Sequence, residues 1–217
     1  FKYSEAGTLR YHSLSKFLKN FPMENNEIWN IVELDGRIYF QSFSAWFSYD
    51  GKMVRAFRNR QQQPLYFYTQ NGHIYTQMID EDFYEFDGKD FHHLFPRSQV
   101  NDDNVVSLLP DGDDSFLMVT ENNGLFRYNG DITPWKTDID TELKKQRVNR
   151  AVMTNDSIFM IGTVLNGIYA IDRKGHCLWH FNLDNRLDNN TVLGLFCDKD
   201  NNVWAALDDG IAYIHHN

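Results

Sequence analysis

The chain has 217 residues, of which 42% are hydrophobic and 24% are charged, so it can bury a substantial core as one domain. Its formal net charge of −9 and pI of about 5.3 disfavour nucleic acids and anionic membranes as partners, because sequence-independent binding to either requires basic patches. No apolar run approaches the ~20 residues of a membrane span. We therefore expect a globular segment that neither binds nucleic acid nor inserts into a membrane.

A short signature recurs five times along the chain. It consists of a small or turn residue, a pair of apolar or aromatic residues, and a strand-ending aromatic residue or isoleucine. The five copies begin at Ala45, Asp82, Gly124, Gly167 and Gly210. This spacing of 37 to 43 residues is typical of short strands joined by turns that build radially stacked sheets.

Each copy belongs to a unit that reads as four strands, A to D, in a meander. In the first unit an apolar run at 28–32 and the turn Asp35-Gly36 precede the signature, and Met53 to Phe57 closes the unit. Asp-Gly and Asn-Gly suit hairpins because both residues tolerate positive φ. The A strands are apolar on both faces, as in strands covered on both sides. The predicted fold is therefore an all-β β-propeller of four-stranded antiparallel blades, with five blades in this chain.

The units also set the predicted boundaries and core. Residues 1–25 are expected to end a preceding blade, and the five blades are expected at 26–63, 64–100, 101–146, 147–188 and 189–217. Helix is predicted only in connections, at Ser13 to Lys19 and Thr141 to Gln146. Large side chains between blades are predicted to form the core. These core residues are Trp29, Tyr39, Phe47, Phe67, Tyr75, Phe83, Phe126, Phe159, Trp204 and Ile211.

The last three copies carry a resemblance to a known repeat. Residues 198–204 read Asp-x-Asp-x-Asn-Val-Trp, the fourth copy has Ile161-Gly162-Thr163, and the third has Gly124-Leu125-Phe126. The first two copies depart from the pattern, with Gln41-Ser42 and Gln77-Met78 where Gly-Thr is usual. On these motifs the chain resembles the two-component regulator propeller repeat family.

This resemblance implies a role. Members of that family are extracytoplasmic sensor regions of hybrid two-component systems and related membrane-bound transcriptional regulators. It implies a non-catalytic, periplasmic segment of an inner-membrane protein that senses an oligosaccharide or similar polar ligand. The kinase or DNA-binding output then lies outside this chain. The implied partners are a second copy in a homodimer, or neighbouring propeller and β-sandwich domains of the same polypeptide.

The ends of the chain leave two alternatives open. The last copy stops after strand C, whereas Thr8 to Leu14 reads as a complete strand D. An edge strand with unpaired backbone groups invites pairing, so Thr8 to Leu14 can complete the last blade and close a five-bladed ring. Alternatively, the blades are part of a larger propeller, which is seven-bladed in most members of the family.

A set of polar and aromatic residues is predicted to bind the ligand. If strand A runs away from one face of the propeller, the D-to-A and B-to-C connections meet at that face. Aromatic faces that pack on sugar rings and polar groups that bond hydroxyls are typical of saccharide sites. The candidate ligand-binding residues are Trp29, Arg58, Arg60, Tyr66, Arg97, Glu121, Asn149, Arg150, Asn190 and Asp208. The alternative for the asparagines is that they bond the turning backbone.

No catalytic residue, metal ligand or cofactor is predicted. The chain has no Gly-x-Ser-x-Gly elbow, phosphate-binding glycine loop or His-Glu-x-x-His motif. A propeller glycoside hydrolase or lyase stays an alternative, because Glu81, Glu121 and Asp208 can supply paired carboxylates. A protein–protein interaction platform is a third function class. The Asp198-x-Asp200-x-Asn202 spacing is interpreted as a hairpin turn, because Val203 stands where a calcium loop needs glycine.

The two cysteines are predicted to be free thiols. Cys177 lies on a predicted outermost strand and Cys197 on an innermost one. In adjacent sheets these strands are about 14 Å apart, which is too far for a disulfide.

Overall fold

A computed structural model describes residues 2–18, 27–42, 45–57, 63–70, 72–112 and 115–215. The chain is all-β and forms a five-bladed β-propeller, so the predicted fold class is confirmed. Every blade is an antiparallel meander in which strands pair in chain order. No helix in this described part is long and apolar enough to cross a membrane.

The strands are numbered in chain order. A small hairpin, β1 (Lys2–Tyr3) and β2 (Leu9–Arg10), precedes the blades. The first blade contains β3 (Ile28–Leu34), β4 (Arg37–Ser42), β5 (Trp46–Tyr49) and β6 (Val54–Phe57). The second contains β7 (Pro64–Gln70), β8 (His73–Met78), β9 (Phe83–Phe86) and β10 (Phe91–Phe95). The third contains β11 (Val105–Pro110), β12 (Phe116–Thr120), β13 (Leu125–Tyr128) and β14 (Ile132–Trp135).

The fourth blade contains β15 (Val148–Met153), β16 (Phe159–Thr163), β17 (Ile168–Ile171) and β18 (Cys177–Phe181). The fifth contains β19 (Val192–Cys197), β20 (Val203–Leu207) and β21 (Ile211–Ile214). Helix occurs in connections, as α1 (Asp140–Gln146) and two short 3-10 turns at Ser15–Phe17 and Arg97–Val100. The first two of these helical pieces were expected from the sequence, and the turn at Arg97–Val100 was not.

The segment that precedes the first blade does not complete the last one. Leu9–Arg10 pairs with Lys2–Tyr3, and the described part of the fifth blade has three strands. Of the two alternatives left open by the sequence, the one in which Thr8 to Leu14 supplies its fourth strand is therefore contradicted. The physical reason is local: a turn closed by hydrogen bonds between Ser4 and Thr8 joins the two short strands at a small loop-closure cost. Leu14, Phe17 and Leu18 then pack on the first blade, against the cluster Ala45, Phe47 and Val54.

The core lies between the blades. One buried cluster joins each pair of neighbours, for example Tyr39 and Trp46 of the first blade with Phe67, Ile74 and Phe86 of the second. The inner strands β3, β7, β11, β15 and β19 contact one another in that order. Successive sheets are therefore held face to face by apolar packing along the arc of blades.

Six of the ten predicted core residues are buried, and Tyr75 is half-buried against the core. The buried ones are Tyr39, Phe47, Phe67, Phe83, Phe126 and Phe159. Three predictions were wrong: Trp29, Trp204 and Ile211 are exposed. Trp204 alternates with Val203 and Ala205, which face the fourth blade, so its own side chain points to the uncovered side of the fifth.

Every inner strand contains a β-bulge at the same place. The pairing register with the next strand shifts between the first and third residues of β3, β7, β11, β15 and β19. The second residue is therefore unpaired. The bulge directs the neighbouring side chains toward the channel that the inner strands surround. The third residues, at equivalent positions, are Asn30, Tyr66, Ser107, Arg150 and Gly194.

The glutamines that depart from the repeat pattern connect neighbouring blades. The Gln41 side-chain amide donates to the carbonyl of Pro64 (2.7 Å) and accepts the N–H of Phe67 (2.9 Å). Gln77 likewise donates to the carbonyl of Asp103 (3.0 Å) and accepts the N–H of Val105 (2.8 Å). Each glutamine therefore binds the start of the next inner strand through both amide atoms.

Gly162 occupies the equivalent position in the fourth blade. A Cβ atom there would lie 2.5 Å from Cγ1 of Val192 on the next inner strand. The glycine therefore allows the fourth and fifth blades to approach closely, whereas Gln41 and Gln77 replace close approach with hydrogen bonds.

Candidate functional site

A cavity of ≈ 350 Å³ opens along the inner strands of the first four blades, beside the bulges. Its lining comes from β3, β7, β11 and β15. The lining residues are Trp29, Asn30, Tyr66, Phe67, Tyr68, Thr69, Val106, Ser107, Leu108, Arg150 and Ala151. We call this cavity the channel site. Its volume is at the small end of the range for ligand pockets, about 300 to 1,000 Å³.

Aromatic side chains form much of the channel site. Trp29 is the unpaired residue of the first bulge, and 59% of its surface is exposed. Tyr66 and Tyr68 contact each other edge to face, with ring centroids 6.4 Å apart. The Tyr68 hydroxyl donates to the carbonyl of Val105, and burial raises the pKa of this phenol well above its ordinary value. Tyr68 is therefore a neutral wall residue that is fixed to the third blade.

Arg150 lies across the channel site. Its guanidinium carbon is 4.3 Å from the ring centre of Tyr66, so a cation–π contact joins the fourth blade to the second. Nη1 donates to the carbonyls of Val106 (3.2 Å) and Asn149 (3.3 Å). The arginine spans the third blade because Ser107, at the equivalent position there, is small. These contacts hold the guanidinium in one orientation.

The third blade contributes polar support below Arg150. The Ser107 hydroxyl donates to the carbonyl of Val106 (2.8 Å) and accepts the N–H of Ala151 (2.8 Å). In the first blade, the Asn30 amide donates to the carbonyl of Phe67 (2.7 Å). The backbone around the cavity is thus held by side-chain hydrogen bonds between adjacent inner strands, which gives the site a preformed shape.

Three of the predicted ligand-binding residues meet in the channel site: Trp29, Tyr66 and Arg150. Asn149 lies next to it but binds backbone, because its amide donates to the carbonyl of Val192 (2.8 Å) on the fifth blade. The residues Asn30, Tyr68 and Ser107 also line the cavity and were not among the predicted set. Their only sequence signal is their position at or near the third residue of an inner strand.

Arg97 and Glu121 belong to a different cluster, at the junction of the second and third blades. Arg97 donates from Nη2 to Oδ1 of Asn104 (3.3 Å), and the Asn104 amide donates to Oε2 of Glu121 (3.0 Å). The other carboxylate oxygen of Glu121 accepts from Nε of Arg147. Asp103, which is buried, accepts the N–H groups of Asn104, Asn122 and Asn123. This network orders the connections rather than lining the cavity.

The remaining predicted site residues lie elsewhere. The Asn190 side chain accepts the N–H of Leu183 (2.7 Å), which is turn chemistry. Asp208 is exposed in the turn after β20, and its N–H donates to the carbonyl of Thr191 (3.0 Å). Arg58 and Arg60 lie outside the described residues.

The possible calcium loop is a hairpin turn, as interpreted from the sequence. Oδ1 of Asp198 accepts the N–H groups of Asp200 (3.0 Å) and Asn202 (2.9 Å), and Oδ2 accepts the indole N–H of Trp204 (2.9 Å). Across the described ranges, no three histidine, cysteine, aspartate or glutamate side chains cluster as metal ligands would. Cys177 and Cys197 are both free thiols, which confirms that prediction.

Comparison with solved structures shows that the fold is shared with other β-propellers. No protein-family model and no curated protein matches the chain. Among solved structures, the extracellular domain of BT4673 from B. thetaiotaomicron, described both as a one-component and as a hybrid two-component system, superposes with a TM-score of 0.69 at 18% identity. That of the hybrid two-component system BT3049 from the same organism gives 0.62 at 17%. Both similarities cover 88% of this chain and 27% of the other.

Other propellers are similar as well. Virginiamycin B lyase from Staphylococcus aureus has a TM-score of 0.65 at 14% identity, over 89% of this chain and 71% of the lyase. At these identities the similarity concerns the fold. The chain spans 27% of the length of the two-component extracellular domains, which are the kind of protein that its repeats resemble. The comparisons therefore show the β-propeller fold, which the extracellular domains of these hybrid two-component systems share.

Proposed function

We propose that this chain is the ligand-sensing propeller of an extracytoplasmic signalling protein. Its ligand is an oligosaccharide or similar polar molecule, which binds in the channel site and leaves unchanged. The observation that carries the proposal is the convergence of Trp29, Tyr66 and Arg150, from three blades, on one preformed cavity. The likeness to extracellular domains of hybrid two-component systems supports the sensory role.

The chemistry of the channel site suits a saccharide. A sugar ring presents C–H groups on its faces and hydroxyls at its edge. The exposed face of Trp29 can pack on the ring, while guanidinium, amide and backbone groups bond the hydroxyls. The Arg150 guanidinium and the Asn30 amide are held by hydrogen bonds before binding, so these groups lose little conformational entropy when the ligand enters.

The lining supports binding rather than hydrolysis. Glycoside hydrolases use two carboxyl groups about 5 to 9.5 Å apart on either side of the scissile bond. No aspartate or glutamate is among the described residues that line the cavity. Glu121, one of the acids predicted from the sequence, is engaged by Asn104 and Arg147 at a blade junction.

Signalling then depends on neighbouring modules. Close-packed blades resist changes of shape, so the ligand acts by binding one arrangement of adjoining domains or protomers more tightly than another. We propose that these partners are a second copy or neighbouring propeller and β-sandwich domains of the same polypeptide. The protein would be periplasmic, anchored in the inner membrane, and coupled to transcription regulation through an output domain outside this chain.

The test is a calorimetric screen of defined oligosaccharides, followed by product analysis of every binder. We expect saturable binding without turnover. Trp29→Ala should weaken binding by about fivefold or more, because aromatic stacking is worth about 1 kcal/mol beyond area burial. Trp179→Ala is the matched control, since Trp179 is an exposed tryptophan on an outer strand. Turnover would assign the chain to hydrolases or lyases, and equal losses in both variants would place the ligand outside the channel site.

A further inference from the structure

We infer that the ligand of the channel site carries a negatively charged substituent, such as the carboxylate of a uronic acid or a sulfate ester, and that Arg150 binds it. This inference rests on the proposed function and specifies the class of saccharide. It comes from the electrostatics of the cavity, which differ from those of the rest of the chain.

Arg150 is the single formally charged residue among the described residues of the channel lining. The chain as a whole is acidic, with a formal net charge of −9. A small cavity with one cation and no carboxylate is therefore a local exception. Charge of this kind selects for a complementary ligand group, because a neutral sugar leaves the guanidinium without a counter-charge.

Several other arginines of the described chain have carboxylate partners. Arg97 pairs with Asp80 (3.6 Å), Arg147 with Glu121, and Arg173 with Asp111 (3.4 Å). The partners of Arg150 are instead two backbone carbonyls and the face of Tyr66. Neither compensates a full positive charge when water is displaced from the cavity. An anionic group of the ligand would compensate this charge.

The orientation of Arg150 also fits an anion. Nη1 is the atom that binds the carbonyls of Val106 and Asn149. Nε and Nη2 make no hydrogen bond to any described residue, so this edge of the guanidinium can form two parallel bonds to a carboxylate or sulfate. Stacking on Tyr66 fixes the plane of the guanidinium. The sugar ring that carries the anion can then lie against Trp29, which lines the same cavity.

Calorimetry with matched probes tests the inference. The probes are di- and trisaccharides of galacturonate and of glucuronate, their neutral galactose and glucose counterparts, and galactose 6-sulfate. We expect at least one anionic probe to bind about tenfold or more tightly than its neutral counterpart. The carboxylate and sulfate arms show which anion the cavity accepts.

Arg150→Gln should lower the affinity for the anionic probe by about 10- to 100-fold, as for the loss of a charge-assisted hydrogen-bond pair, and should lower the affinity for the neutral counterpart much less, because a glutamine amide can still bond a hydroxyl. Arg150→Lys keeps the positive charge but lacks the paired N–H donors of a guanidinium. Its affinity for the anionic probe should therefore lie between those of wild type and Arg150→Gln. Arg55→Gln makes the same charge change on an exposed outer strand and should bind like wild type. Thermal unfolding of each variant shows whether the fold is retained.

The outcomes separate the inference from the function on which it rests. Equal affinity of wild type for anionic and neutral members of each pair would overturn the inference and leave a neutral-sugar sensor. Undiminished binding of the anionic probe by Arg150→Gln would overturn it too. If no saccharide of any class binds, the proposed function itself fails. If Arg150→Gln does not fold, the inference is still tested by the affinities of wild type for each anionic and neutral probe pair and by the affinity of Arg150→Lys.

Discussion

Replacing Gln77 with alanine should destabilise the propeller through one pair of hydrogen bonds between the second and third blades. Gln77 is buried, with 1% of its surface exposed, and Val105, whose N–H it accepts, is at 0%. Alanine leaves this N–H without a partner or access to bulk water. An unsatisfied buried donor costs about 1–3 kcal/mol. The carbonyl of Asp103 loses less, because it also accepts a longer bond from Nε of Arg97 (3.4 Å).

We therefore expect Gln77→Ala to lower the free energy of unfolding by about 2–3 kcal/mol. For a chain of this size that corresponds to a fall in Tm of about 4 to 12 °C. The assay is urea unfolding followed by tryptophan fluorescence, with thermal unfolding by circular dichroism. Gln99→Ala is the control, because Gln99 is exposed and only its backbone N–H is bonded.

The two variants together decide whether the glutamine matters. If Gln77→Ala changes the free energy of unfolding by less than about 0.5 kcal/mol, as is usual for a surface substitution, the reasoning is refuted. The blades would then be held by their apolar cluster alone.

Two further predictions concern other positions. Gly162→Ala should destabilise the chain by about 1–3 kcal/mol, because the added Cβ would lie 2.5 Å from Cγ1 of Val192; an unchanged urea midpoint would show that the neighbouring blade yields at little cost. A hydrogen bond to Asp87 raises the pKa of His92, so an NMR titration should place this imidazole above its ordinary value of about 6.5, and Asp87→Asn should bring it back. Because the folded pKa of His92 is the higher one, any stabilisation from this pair is fully present below pH ~6.5, as long as Asp87 is ionised, and is lost as pH rises through the folded pKa.

The repeat architecture could be predicted because its signals are local. Turn residues such as Asp35-Gly36 and the strand runs on either side repeat at nearly constant spacing, and packing between neighbouring sheets follows from apolar inner strands. Burial in the last blade could not be predicted in the same way. Trp204 and Ile211 have the composition of core residues, but burial requires a sheet on that side, which a strand pattern does not report.

The candidate site was only partly predictable for a similar reason. Trp29, Tyr66 and Arg150 stood out as aromatic or basic residues near the start of inner strands. Their convergence depends on a bulge in each strand and on the small side chain of Ser107, over which Arg150 reaches the second blade. Arg97 looked equivalent in the sequence, yet its contacts with Asn104 and Asp103 belong to a blade junction. Neither distinction follows from residue type or spacing.

The bulge shared by all five inner strands separates the residues that line the channel from the residues that pack between blades. The side chains beside it are directed into the channel, while the rest of each strand packs between blades. The equivalent positions hold five unlike residues, namely Asn30, Tyr66, Ser107, Arg150 and Gly194. Exchanging them alters size, charge and hydrogen bonding inside the channel with little effect on the apolar clusters. A propeller built in this way can acquire a new ligand by substitutions at positions such as Tyr66 and Arg150, whereas exchanging Asn30 or Ser107 also removes a hydrogen bond to the next inner strand.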